Sequence, residues 1–311
     1  MKLDYVVLSV NNDPSYYMLF PMVKPMWEKY GIKCLLVFIG SVLPAELEAF
    51  KEDIILFDEI DGVSSVFLAQ TVRLLFPATL KTSNAVMISD VDTMAINVKY
   101  FVDTIQPFDD LKFINLGHIP EHVPQNEYYM AYNVATPAIW SQVFGVVTMN
   151  DIRTKLKEWF VKIGRYHFDK RYRSKCIGFH TDQINLYRHV NDWNKQTGNL
   201  VVILKNFERI AKKDDCRTFP NKFQTTDFVD YHMFRPFEKH MAFHKKVIEL
   251  TRQKEIRMRS ASTAQLAPVP VAGPEIVSVA GPEIVPVAGP KEALASGPET
   301  MAVPETPPAS S

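Results

Sequence analysis

The first part of the chain alternates between short unbroken apolar runs and longer stretches with helical spacing. Tyr5–Val10, Lys33–Ile39, Ile54–Phe57 and Ala85–Ser89 are rich in Val, Ile, Leu and Phe, the pattern of strands covered on both faces of a sheet. Between them, Tyr16–Tyr30 predicts a helix ended by Gly31, Ala45–Lys51 a short helix, and Val66–Leu75 a helix stopped near Pro77. Strands and helices taking turns in this way predict an α/β fold, with a mostly parallel, twisted sheet flanked by helices over residues 1–237. Such sheets bind ligands at the carboxyl ends of their strands. Ser9–Asn12 after the first strand and Asp90–Asp92 after the fourth are therefore expected to face one crevice.

The sharpest chemical signal is Ala85-Val-Met-Ile-Ser-Asp-Val-Asp92, an apolar run leading into two aspartates spaced i, i+2. In extended backbone Asp90 and Asp92 project to the same side. Two carboxylates crowded at a strand end repel unless a cation neutralises them. A hard divalent ion carrying substrate phosphates suits that need, since Mg²⁺ and Mn²⁺ take one or two carboxylates plus phosphate oxygens. Asp is also common in solvated turns, so the position directly after a buried strand is what raises the signal.

Composition narrows the picture. The 311 residues are 47% hydrophobic, enough for one large α/β domain or two smaller ones. Lys plus Arg and Asp plus Glu are both 35, so no chain-wide basic footprint for nucleic acid exists. Cys34, Cys176 and Cys216 lack C-x-x-C spacing and fit a reducing compartment. The apolar N-terminal stretch is too short for a membrane span and carries Asp4, reading as a first strand in a cytosolic protein. Residues 238–259 predict a helix with a basic end, most simply a solvated face, with peripheral membrane contact as the second reading. Residues 260–311 carry octapeptide repeats, Val271-Ala-Gly-Pro-Glu-Ile-Val-Ser278 and Val279-Ala-Gly-Pro-Glu-Ile-Val-Pro286, then degenerate copies. Gly-Pro breaks both helix and sheet, and so short a unit buries no face, which predicts a disordered tail acting as spacer or tether.

Dinucleotide, P-loop, zinc-protease and serine-hydrolase motifs are all missing. What is present resembles another family. A first strand ending in a polar loop, an Arg-bearing helix (Gln70-Thr-Val-Arg73) and a strand ending in Asp-x-Asp resemble the GT-A fold, a Rossmann-like fold of nucleotide-sugar-dependent glycosyltransferases. Downstream, Tyr128-Tyr-Met-Ala-Tyr-Asn-Val-Ala-Thr-Pro137 with Ala138-Ile-Trp-Ser-Gln142 resembles the segment forming the donor-sugar and acceptor side. Phe179-His-Thr-Asp-Gln-Ile-Asn-Leu186 resembles the acidic helix start, and Asp227-Phe-Val-Asp-Tyr-His-Met-Phe-Arg-Pro236 the late histidine segment. The match runs over roughly residues 5–237, and the lack of a membrane anchor suits a bacterial or large-virus enzyme better than a Golgi one.

The resemblance implies transfer of a sugar from a nucleoside-diphosphate sugar, UDP favoured, to a hydroxyl of a glycan or glycoconjugate, with Mn²⁺ or Mg²⁺ as cofactor. It implies Asp92 as direct metal ligand and Asp90 on ribose or donor sugar, assisting the metal. Ser9 and Asn11 belong to the nucleotide-binding loop. His232 is a nitrogen ligand or an ordinary packed histidine, and Arg235 or Arg73 holds phosphate oxygens. Asp182 is the expected general base, which would favour inversion, or else Thr181 or Asp182 caps its helix. Asp230 is the next choice of base, while His180 and His118 suit packing or acceptor contact. Tyr128, Tyr129, Tyr132 and Trp140 are aromatics that could stack on sugars, with Tyr128 and Tyr129 preferred for their polar surroundings. A metal-dependent nucleotidyltransferase and a non-catalytic glycosyltransferase-like scaffold are the competing readings.

Overall fold

A computed structural model of the protein describes residues 1–117, 126–166, 180–203, 207–211 and 219–265. Cys176, Cys216, His118 and the octapeptide repeats lie outside the described residues.

Strand β1 (Leu3–Asn11) leads into two short helices, α1 (Pro14–Tyr17) and α2 (Phe20–Glu28), rather than one. Pro21 explains the break: without an N–H it cannot continue the first helix's ladder, and it opens the second at N1/N2. After β2 (Lys33–Ile39), the expected helix at Ala45–Lys51 is a 3₁₀ stretch, Ala45–Asp53. Only Leu47 of that stretch is buried, so no α-helical apolar stripe holds it. Then come β3 (Ile54–Phe57), α3 (Ser65–Leu75), β4 (Ala85–Ile88), β5 (Thr93–Ala95), α4 (Val98–Ile105), β6 (Phe113–Asn115) and β7 (Asn133–Ala135). Helices α5 (Pro137–Phe144), α6 (Met149–Tyr166) and α7 (Thr181–Thr197) precede β8 (Leu200–Val202) and β9 (Glu208–Ile210). Helix α8 (Phe219–Thr225), β10 (Phe228–His232) and α9 (Phe237–Gln265) complete the described chain.

The main sheet has seven strands in the order β3-β2-β1-β4-β7-β6-β8, and β7 alone runs against the rest. This is the mixed, mostly parallel α/β sheet the apolar runs imply. One apolar cluster, with Leu8, Phe38, Trp27 and Phe101, fills one face, and a second, with Val37, Phe67, Trp140 and Phe144, fills the other. Covering both faces is why the strands read as continuous apolar runs. Helix α9 seals the first cluster with Val247 and Leu250 and continues past residue 260. No helix among the described residues is long and apolar enough to cross a membrane.

A second sheet, β5-β10-β9, places the site. β10 pairs antiparallel with β5, which opens one residue after Asp92, and the register sets His232 opposite Thr93. The Met233 amide donates to the Asp92 carbonyl at 2.7 Å. The late segment is thus tied by backbone to the Asp-x-Asp turn.

Candidate active site

A cavity of about 560 Å³ opens at the carboxyl edge of β1 and β4. Ser9, Asn11, Arg73, Asp90, Asp92, Asp182, His232 and Arg235 all line it. These eight residues meet in space, from five separate parts of the sequence. The expected crevice shared by Ser9–Asn12 and Asp90–Asp92 is this one.

The geometry departs from extended backbone at the aspartates. The chain turns after Ile88, with the Thr93 amide donating to the Asp90 carbonyl at 3.1 Å, so the two side chains do not simply share a strand face. Each carboxylate faces its own cations. Asp90 accepts a charge-assisted hydrogen bond from Arg73. Asp92 Oδ2 lies 3.5 Å from His232 Nε2 and 3.4 Å from Arg235 Nε. The Asp92 carboxylate raises the pKa of His232 above the ordinary histidine value. His232 is therefore a cavity residue and not one packed in the core.

Arg235 or Arg73 is the expected phosphate holder, and of the two Arg73 is already engaged on carboxylates. Its guanidinium is buried, bridging Asp90 and, through Nη2 at 3.2 Å, Asp182 Oδ2, with Nη1 also 3.4 Å from the Ser89 carbonyl. Its Nε has no hydrogen-bond partner among the described residues. Arg73 holds two carboxylates in place, leaving Arg235 as the better placed candidate for an incoming anion. Arg235 is partly exposed, and its guanidinium lies 4.5 Å from the Tyr16 ring centroid.

Asp182 sits in the first turn of α7, but the cap position belongs to His180, which makes no side-chain cap bond. Thr181 and Asp182 are therefore the first two helical residues of α7. Asp182 Oδ1 accepts from the Gln183 amide at 2.8 Å. Burial pushes its pKa up to about 6, outweighing the opposing pull of Arg73 and the Gln183 amide. It is a cavity carboxyl poised near neutrality.

Ser9 and Asn11 line the cavity with hydroxyl and amide already engaged on α3, Ser9 donating to the Ala69 carbonyl and Asn11 donating to Ser65 Oγ at 3.4 Å. The aromatic candidates divide. Trp140 is fully buried and donates to the Val86 carbonyl at 3.1 Å, so it is core. Tyr132 is fully buried too, in a left-handed backbone conformation (φ 67°), and donates to Asp230 at 2.9 Å. Tyr128 donates to Asn191 at 3.2 Å and packs on Tyr187, away from the lining. Of these four, Tyr129 lines the cavity. His180 pairs with buried Glu127 at 3.2 Å outside the lining. Asp230, the second choice of base, is wholly buried under Arg209 and the Tyr132 hydroxyl.

Arg209 is the cavity residue that sequence reading missed. It forks onto Asp230, with Nε at 2.7 Å, and donates through Nη1 to the Tyr129 hydroxyl at 2.7 Å. Alternation in Phe207-Glu-Arg-Ile210 hints only that Arg209 points away from the buried Ile210 side, and no motif marks it. Among the described residues no three His, Cys, Asp or Glu side chains converge tightly enough to hold a metal ion alone. The Asp92–His232 pair offers one oxygen and one nitrogen donor facing open cavity. Asp90, turned to Arg73, is not a third. Such a pair fits Mn²⁺ or Mg²⁺ only where phosphate oxygens and water complete the shell.

No protein-family model and no curated protein matches the chain. Among solved structures, it is similar to the galactosyltransferase LgtC in complex with donor and acceptor sugar analogues, at 13% identity over 80% of this chain and 95% of that one, with a TM-score of 0.41. It is also similar to a glycosyltransferase involved in glycosylation of the major capsid of PBCV-1, at 12% identity over 77% of this chain and 99% of that one, TM-score 0.40. A third is the apo form of GlyE from Streptococcus pneumoniae TIGR4, at 11% identity over 65% of this chain and 45% of that one, TM-score 0.38.

Proposed function

We propose that the protein is a glycosyltransferase that takes a sugar from a nucleoside-diphosphate sugar, UDP first, and passes it to a hydroxyl of a glycan or glycoconjugate. The observation that carries this reading is the meeting of Asp90, Asp92, Asp182, His232 and Arg235 in one cavity at the strands' carboxyl edge. Of the three arginines in that lining, Arg73 and Arg209 are held by aspartates, so Arg235 is the cation for a diphosphate, while Asp90 and Asp182 are acceptors for a sugar.

Asp92 and His232 are the residues to hold Mn²⁺ or Mg²⁺, and Arg235 stands beside them for a phosphate oxygen. The ion, when bound, supplies Lewis-acid stabilisation of the charge developing on the diphosphate. Asp90, fixed by Arg73, accepts from ribose or sugar hydroxyls. Asp182 accepts the acceptor hydroxyl's proton, a task suited to a carboxyl near pKa 6. A base opposite the leaving group gives inversion. Ser9 and Asn11 form the nucleotide end with their backbone.

The test is thermal stabilisation by nucleoside diphosphates with and without Mn²⁺, since a ligand of the native state alone raises its stability. UDP is expected to raise the melting temperature more with Mn²⁺ than without, and Asp92→Ala to erase the difference. A chain that responds to no nucleoside diphosphate, with either metal, is not this enzyme.

A further inference from the structure

We propose that Tyr129 binds a hydroxyl of the transferred sugar through its phenolic O–H, with Arg209 as the positioning residue. The proposal rests on the glycosyltransferase reading and adds a contact to it. Tyr129 enters the cavity from the loop before β7, where its backbone is pinned. Asn133 Nδ2 donates to the Tyr129 and Met130 carbonyls at 2.9 and 2.8 Å, and Asn115 donates to Asn133 Oδ1 at 2.6 Å.

The ring is not offered flat to a sugar. The Arg209 guanidinium lies 5.2 Å from its centroid and donates to its hydroxyl oxygen, so what remains for a ligand is the polar edge. The phenol accepts from Arg209, which orients it, and its own hydrogen has no acceptor among the described residues. Burial raises its pKa, keeping that hydrogen in place. A hydroxyl that accepts a charge-assisted bond becomes a better donor, because successive hydrogen bonds polarise one another.

Charge selects the ligand. Arg209 is a fork onto Asp230, a carboxylate with no exposed surface, so the pair is neutral. An anion gains little at a neutral corner, whereas a neutral sugar hydroxyl needs only the donor. Asp90 and Asp182, which share the lining, are carboxylate acceptors with Arg73 between them. Tyr129 thus adds a donor to a wall of acceptors, which lets the site distinguish a sugar by the orientation of one hydroxyl.

The experiment compares wild type with Tyr129→Phe, which removes one oxygen. UDP and a panel of UDP-hexoses, including monodeoxy forms, are titrated in Mn²⁺, and melting temperature is followed in parallel. The expected result is unchanged UDP affinity and an affinity for one UDP-hexose lower by about tenfold, the usual loss when a polar partner is left unpaired. Wild type should disfavour one monodeoxy donor by a similar factor, and Tyr129→Phe should be indifferent to that deletion. Equal loss for UDP and UDP-hexose places the phenol on phosphate and overturns the proposal, as does no loss at all. Should wild type bind no nucleotide, the glycosyltransferase reading itself falls. If Tyr129→Phe is too unstable to assay, the wild-type monodeoxy panel decides, and no discrimination at any hydroxyl overturns the proposal.

Discussion

Single residues in this cavity serve each other as much as any ligand. Arg73 is the sharpest case. It lies between Asp90 and Asp182, and removing it leaves two carboxylates without their cation. Arg73→Met is expected to cost about 3–5 kcal/mol of stability, the range for breaking a buried pair from one side. A urea midpoint unchanged by this substitution would show the bridge to be unimportant. Asp182→Asn should behave differently. Asp90 still pairs with Arg73, burial already disfavours the ionised Asp182 carboxyl, and an amide oxygen can still accept from Arg73, so the loss of stability is expected to be smaller than in Arg73→Met. Turnover should drop by roughly two to four orders of magnitude if the carboxyl takes the acceptor's proton. Wild-type turnover should also fall as pH drops through about 6, where Asp182 gains a proton. Near-normal turnover in Asp182→Asn would move the base elsewhere, and Asp230 is closed off by Arg209. The two aspartates of the triplet and the acidic helix start were legible because each stands at a pattern boundary, while the late histidine was legible only through the family resemblance. Arg209 was not, since its meaning comes from Asp230 and Tyr129, both far along the chain.

At the scale of elements, apolar runs were readable where both faces of a strand are covered, and helix breaks were readable only in part. Pro21 divided a helix that periodicity alone drew as continuous. The turn at Asp90–Asp92 replaced extended backbone because β4 ends at Ile88 and β5 begins at Thr93. Helix α9 carries a further consequence of packing. Its His244 is fully buried, held by the Tyr231 hydroxyl at 2.7 Å and the Phe234 carbonyl at 3.1 Å, and burial depresses its pKa to about 4. The unfolded chain therefore binds a proton that the folded chain refuses between pH 6.5 and about 4. Stability from this group is present above pH 6.5 and lost as pH falls through that window. His189, also depressed to about 4 by burial, acts in the same direction. Urea midpoints measured across this range should fall with pH in wild type and fall less steeply in His244→Gln. Equal slopes would remove His244 from the account.

For the whole molecule, all residues lining the cavity precede Pro236, and the described chain ends at Gln265. Deleting residues 266–311 is expected to leave donor hydrolysis and melting temperature unchanged. A drop in either would make the octapeptide segment part of the working unit. The layout also bears on when the protein becomes competent. Asp92 and His232 are neighbours because β10 pairs with β5, across well over a hundred intervening residues. Closing so long a loop is among the slow, late events of folding. During synthesis, the Ser9–Asn11 end of the cavity is made long before His232 leaves the ribosome. A partly made chain can therefore hold β1, β4 and the aspartate turn yet lack His232 and Arg235. On the proposed reading, Mn²⁺-dependent UDP binding would report completion of the fold, and in refolding its recovery should trail the return of secondary structure.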